Sequence, residues 1–366
     1  MPKNRVVILG CLALAIVGAL AWAIARQRQP EPVSGGKTLS TWLDDLAANK
    51  QEGCRDAIAS IGVEAVPFIL RKLDRDDSPV LNKYRALWPT LPGFVKKHLS
   101  EPKSLQFTAA NAATALQWCG PKAVPLLEKR LKDPNPAVRE AAVEALNWMV
   151  RGSLSARERV SLFLPLVNDS DPAVRQNATM ALMGLGPAAS NAVPALIANL
   201  QSNEAGRHTT VNERWFVRAN TASVLADIGS PAAAAVPALS NLLAVGDSYQ
   251  RVNAATAICK IKWSESAWAS LTNMLSDPDK EARLVAAQNI WQISSNESLT
   301  LPFLLRELPS ADTFGKSRIV RQLNDMGPRA GAAVPALVNE LTNTDTPLLL
   351  AITNALKEIA PAAVGQ

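Results

Sequence analysis

One phrase returns five times along the chain and constrains the fold more than any other feature. It consists of a glycine, a short spacer, then Ala-Val-Pro at the head of an apolar run. It reads IGVEAVPFIL at 61–70, CGPKAVPLLE at 119–128, LGPAASNAVPALI at 185–197, IGSPAAAAVPALS at 228–240 and MGPRAGAAVPALV at 326–338. Glycine ends helices in a left-handed conformation, and proline is tolerated in the first turn of the next helix. Each phrase therefore marks a turn between two helices.

The helix before each turn carries its own signature. Pro136-Ala137-Val138-Arg139 is followed by apolar residues at 141, 142, 145 and 146, one face of an amphipathic helix. The same register, with some polar substitutions, holds from Cys54, Val174, Val217, Gln250 and Ala282. The next residue is always arginine: Arg55, Arg139, Arg175, Arg218, Arg251 and Arg283. From Arg139 onward the steps are 36, 43, 33 and 32 residues, the length of a helical hairpin with its loops. DPNP at 133–136, DSDP at 169–172 and SDPD at 276–279 fall between units, where Asp and Pro suit a loop and a helix start. An arginine present in every unit is expected to serve the unit, pairing with nearby acids or helix-end carbonyls.

Asp-x-x-Pro-x-Val-Arg-x-x-Ala followed by Gly, Ala-Val-Pro and a second helix resembles the HEAT repeat. The similarity is to the short variety of bacterial HEAT-repeat and phycobilin-lyase-like proteins. It covers roughly residues 39–364, about eight units. It implies an all-α fold, an α-solenoid or superhelix of about eight hairpins, since one hairpin cannot bury its apolar face alone. On function it implies little, because the fold carries scaffolds, adaptors and a few enzymes. Degenerate units are expected to open their second helix at Pro165, at Pro302, or within 267–275 without proline. The resemblance breaks at two insertions, near 75–103 and 201–213. The first carries Lys83, Tyr84, Arg85, Trp88, Phe94, Lys96, Lys97 and Lys103.

Ahead of the repeats, Val6 to Ala25 is an unbroken run of twenty uncharged residues, long enough to span a bilayer core. Lys3 and Arg5 precede it, Arg26 and Arg28 follow it, and Trp22 lies near one end. The expected organisation is a transmembrane signal anchor over 1–28, a Pro/Gly-rich linker over 29–38 and the repeat array over 39–366. The array is expected to be exported. The alternative is secretion after cleavage near Ala25, at Ala23-Ile24-Ala25.

Charge and chemistry narrow the function. Lys and Arg number 38 against 32 Asp and Glu, but four of the basic residues flank the apolar run. What remains is close to balance and gives no case for nucleic acid. The distribution is uneven: residues 71–132 hold twelve Lys or Arg against five Asp or Glu. Cys54, Cys119 and Cys259 are widely spaced and read as buried thiols, not as a disulfide framework or zinc site. His98 and His208 are far apart, and no His-Glu pair occurs, which tells against the iron-binding hydroxylases that also use HEAT repeats. Gly36-Lys37-Thr38 and Gly315-Lys316-Ser317 lack the first glycine of a phosphate loop. No catalytic, cofactor-binding or metal residue is expected.

The resulting expectation is a membrane-tethered, non-enzymatic scaffold or adaptor for protein partners, with no nucleic acid and no metal. The alternative is a lyase-like or other small-molecule-binding enzyme on the same repeats. The candidate partner-binding residues are Tyr84, Arg85, Trp88, Lys96, Lys97 and Lys103, because Tyr, Trp and Arg dominate interface energetics and Lys clusters attract anionic surfaces; the alternative is that Trp88 and Phe94 pack an extra helix onto the array.

Overall fold

The computed structural model describes residues 30–76, 83–84, 86–96, 99, 107–201, 211–342 and 345–360; side chains at 75, 76, 94 and 211–216 stand outside the description. Among the described residues the fold is all-α apart from one two-stranded hairpin, and the chain divides into two compact units, Met1–Met149 and Val150–Gln366.

The first unit opens inside the expected linker. β1 (Val33–Ser34) pairs antiparallel with β2 (Lys37–Thr38) across Gly35 and Gly36. This hairpin leans on Trp42 of α1 (Leu39–Ala47), whose indole N–H donates to the Ser34 carbonyl at 3.0 Å. Lys37 lies over the Trp42 ring, 4.4 Å from its centroid, and pairs with Asp45 at 3.1 Å. Any side chain at Gly35 or Gly53 would meet the same indole at 3.5 Å. Thr38 caps α1 through its hydroxyl, as the hydroxyl-rich start of this helix predicts.

Beyond it come α2 (Cys54–Ile61), α3 (Val66–Asp76), the short α4 (Gly93–Lys96), α5 (Ala109–Trp118), α6 (Val124–Arg130) and α7 (Pro136–Met149). Helices α2 and α3 form one hairpin; α5 and α6 form the next, and α5 packs on both α2 and α7. Gly62 and Gly120, at φ 66° and 79°, make the turns. One short 3₁₀ turn separates each glycine from its proline, with Ala65 or Ala123 fully buried beneath.

The second unit contains α8 (Ala156–Phe163), α9 (Pro172–Ala181), α10 (Val193–Gln201), α11 (Val211–Ile228), α12 (Val236–Val245), α13 (Ser248–Ile261), α14 (Glu265–Asn273), α15 (Lys280–Ser294), α16 (Glu297–Glu307), α17 (Thr313–Met326), α18 (Val334–Asn339) and α19 (Thr346–Ile359). The first helices of successive hairpins, α9, α11, α13, α15, α17 and α19, each pack on the next. Nearest-neighbour packing of this kind is how helical repeats share one core. Three turns here are longer: Gly186–Ala192, Ser230–Ala235 and Gly327–Ala333 each hold a second 3₁₀ turn over a second buried alanine.

Two degenerate units start differently from expectation. Helix α16 begins at Glu297 behind the Asn296 cap, which puts Pro302 in its interior. Helix α8 begins behind Ser155, where a reciprocal Ser155–Glu158 capping box sets the start, so Pro165 falls in the following 3₁₀ turn.

The membrane expectation is corrected. No helix among the described residues is long and apolar enough to cross a membrane. The Val6 to Ala25 run lies outside the described residues, so nothing in the structure supports the anchor, and the localisation built on it falls.

Candidate partner-binding surface

The insertion between α3 and α5 folds around two prolines. Trp88–Thr90 forms a 3₁₀ turn with Pro89 in its first positions, and the Leu91 N–H donates to the Trp88 carbonyl at 3.3 Å. Pro92 then starts α4, where Val95 and Lys96 donate their N–H groups to its carbonyl at 2.9 and 3.1 Å. The effect is to turn the chain back on itself within eight residues. Lys96 Nζ thereby donates to the Pro89 carbonyl at 3.2 Å and lies 5.9 Å from the centroid of the Trp88 ring. Tyr84 meets Trp88 edge-on, ring centroids 5.6 Å apart at 70°. Both geometries suit an aromatic quadrupole, whose face attracts cations and ring edges.

The structure thus brings together three of the six candidate residues, Tyr84, Trp88 and Lys96, each half-buried. Arg85, Lys97 and Lys103 lie outside the described residues. In the same stretch of sequence, Leu87 and Leu99 are 56% and 44% exposed and Lys83 is exposed. Sequence reasoning did not single out the two leucines; their signal was an aliphatic residue interrupting a basic, aromatic stretch.

The repeated arginines take a different role. Arg139 Nη1 donates to the carbonyls of Asp133 (2.8 Å) and Pro134 (3.2 Å). Arg175 does the same to Asp169 and Ser170, and Arg283 to Asp277 and Pro278. Each clips the loop ahead of its own helix, while Asp133, Asp169 and Asp277 accept the N–H two residues on. Arg283 also pairs with Glu307 at 2.7 Å, and Arg251 reaches Asp277 in the following loop at 3.1 Å. Burial would push the Asp277 carboxyl up, but hydrogen bonds from the Asp279 N–H, the Ser248 hydroxyl and Arg251 together hold it below its ordinary value. Arg139, Arg175, Arg251 and Arg283 thus bind the loops and acids of the repeats themselves.

Three further groups stand out chemically. Lys72 is buried, pairs with Asp44 at 2.6 Å and lies 5.5 Å from the Phe107 ring centroid. Glu144, half-buried on α7, has its carboxyl pushed up by burial. The thiols of Cys54, Cys119 and Cys259 are buried, and burial raises all three, Cys119 to about 12 and Cys259 to about 11. Such thiols stay protonated and act as small apolar groups. Among the described residues no group of three or more His, Cys, Asp or Glu side chains is placed to hold a metal ion.

Residues 97–157 match the family model described as HEAT repeats. That segment holds α5, α6 and α7, the hairpin and following helix whose stacking is described above. Over that segment the chain carries HEAT repeats. Over 124 residues it is 33% identical to deoxyhypusine hydroxylase of Candida albicans, covering 30% of this chain and 36% of that one. It therefore spans only about a third of the curated relative it matches. Among solved structures it is similar to the complex of CpcE and CpcF of phycocyanin lyase from Nostoc sp. PCC7120. That match has 17% identity, covers 64% of this chain and 94% of that one, and has a TM-score of 0.44. Importin beta matches at 14% identity over 88% of this chain and 48% of its own, with a TM-score of 0.39.

One expectation changes with these findings. The absence of recognisable catalytic motifs led to a non-enzymatic reading, yet the curated relative that matches over 124 residues is a hydroxylase, an enzyme. Motif absence is a weak guide on this fold, because the repeats supply only the frame and sites are grafted onto them. The non-enzymatic expectation is withdrawn.

Proposed function

We propose that this chain is a HEAT-repeat scaffold that captures a protein partner on the insertion between α3 and α5. The observation that carries the reading is the Tyr84–Trp88–Lys96 cluster, in a stretch of sequence that also exposes Leu87 and Leu99. Tyr and Trp enrich interface hot spots, and a cation held in place loses little freedom on binding. In this reading residues 39–366 form the repeat array, and the stretches near 75–103 and 201–213 are excursions from it. The test is cross-linking of the chain in cells, followed by mass spectrometry of what is recovered with wild type and with Trp88→Ala. A reproducible partner that Trp88→Ala recovers at least about tenfold less, at unchanged thermal stability, supports the reading. Equal recovery by both proteins overturns it.

A second reading, catalysis on the same repeats, is favoured by the 124-residue match to the hydroxylase. It predicts a small molecule or metal that stays with the purified chain. An absorption spectrum together with elemental analysis of the purified protein checks this directly.

A further inference from the structure

We infer that the partner of the Trp88 surface is an acidic protein segment that also carries aliphatic side chains. This rests on the reading that the surface captures a protein, and adds what that protein must offer.

Charge is the first argument. Between Asp77 and Glu101 there is no acidic residue, against Lys83, Arg85, Lys96 and Lys97. The wider stretch 71–132 holds twelve basic and five acidic residues, while the rest of 29–366 holds 22 basic and 27 acidic. A basic stretch of sequence in an otherwise acidic array favours acidic partners there.

The second argument is the state of Lys96. An ammonium has three N–H donors. Lys96 gives one to Pro89 and rests on the Trp88 ring, which leaves two for an arriving carboxylate. Because the side chain is already held, a carboxylate meets a cation that is partly ordered beforehand.

The exposed leucines decide what else the segment carries. Leu87, next to Trp88 in the chain, and Leu99, three residues past Lys96, present exposed aliphatic side chains, which favours apolar side chains over a purely charged ligand. The same features disfavour nucleic acid. A base would compete for the Trp88 ring with Lys96, which already lies over one of its faces. A phosphate polyanion also needs an extended basic track, and the acidic excess elsewhere on the chain opposes one.

The test is fluorescence anisotropy on the full chain with three labelled probes of equal length: polyglutamate, a mixed glutamate–leucine peptide and single-stranded DNA. The mixed peptide is expected to bind about tenfold tighter than polyglutamate, and more weakly as salt rises from about 50 to 200 mM. Lys83→Glu, at an exposed position, is expected to weaken it about fivefold without moving the melting temperature; Leu87→Ser is expected to abolish the advantage over polyglutamate. DNA binding as tight as the mixed peptide, no binding of the mixed peptide, or indifference to Lys83→Glu overturns the inference. Should the mixed peptide fail while a cellular partner still depends on Trp88, the scaffold reading survives and only the acidic chemistry falls. Should capture be indifferent to Trp88→Ala, both fall.

Discussion

In the first unit a glycine stands five residues ahead of the proline that opens the next helix, as Gly62 does to Pro67 and Gly120 to Pro125. In the second unit the interval is eight, from Gly186 to Pro194, Gly229 to Pro237 and Gly327 to Pro335. The three extra residues make one more 3₁₀ turn. At Ala232 and Ala330 the backbone leaves helical geometry before the next turn begins. Fully buried alanines, Ala232 with Ala235 and Ala330 with Ala333, let that double turn lie flat on the core. Helix starts differ as well. In the first unit Thr38, Gly53 and Thr108 occupy the cap positions and Asn135 accepts the Ala137 N–H. In the second, Asp171, Asp247, Asp279, Asp312 and Asp345 cap the first helices of the hairpins. The same hairpin is therefore built with two kinds of turn and two kinds of cap. The aromatic insertion belongs to the unit with the short turns.

The largest effect that would sharpen this contrast is at the arginine clip. Arg283→Ala removes two loop hydrogen bonds and a largely desolvated pair with Glu307. It is expected to cost about 3 kcal/mol by denaturant unfolding. Next comes the long turn: Ala232→Leu forces a larger side chain into a closed site and is expected to cost about 2 kcal/mol. Glu64→Leu, exposed in a short turn of the first unit, should change stability by less than about 0.5 kcal/mol. Equal costs at the two positions would break the comparison.

The caps offer a finer test. Asp312 accepts the Gly315 N–H at 2.7 Å, so Asp312→Ala should lose about 1 kcal/mol. Asp312→Asn keeps the acceptor and should lose only about 0.3 kcal/mol; a loss as large as alanine's would mean that the charge matters more than the hydrogen bond.

The smallest effects concern pH, and they run in opposite directions. Asp277 in the second unit is held below its ordinary value of 3.8, so its contribution is full above that value and is lost as the pH falls further. Unfolding midpoints measured down to about pH 3 should therefore fall less for Asp277→Asn than for wild type. Glu144 in the first unit is raised from 4.5 by burial, which favours the folded state while the carboxyl keeps its proton and costs stability as the pH rises through the folded value. Glu144→Gln should accordingly raise the melting temperature at pH 7 by about 1 °C.

Much of this architecture can be read from local rules. The Gly-to-Pro turn, the Thr38 cap, the buried cysteines and the structural arginines all depend on neighbours within a few residues. Even the two turn lengths are written as three additional letters. The departures arise where a stronger local signal overrode a familiar one. Pro165 and Pro302 suggested helix starts, but Ser155 with Glu158, and Asn296, are better caps and set the starts earlier. The hairpin at 33–38 escaped because its reason to form is Trp42, a packing partner outside the segment itself. At the candidate surface, composition pointed to Tyr84, Trp88 and Lys96. Their arrangement depends on Lys96 reaching back eight residues over a proline-bracketed turn, which no helical period encodes.

The most direct measurement takes the partner recovered by cross-linking and titrates it against wild type, Trp88→Ala and Trp263→Ala. Trp263 is 51% exposed and stacks on Trp268 in the second unit, so it controls for losing any exposed indole. Affinity lost about tenfold or more with Trp88→Ala and kept with Trp263→Ala is the predicted result. Affinity kept with Trp88→Ala, or lost equally with both, would contradict the placement of the binding surface on the insertion.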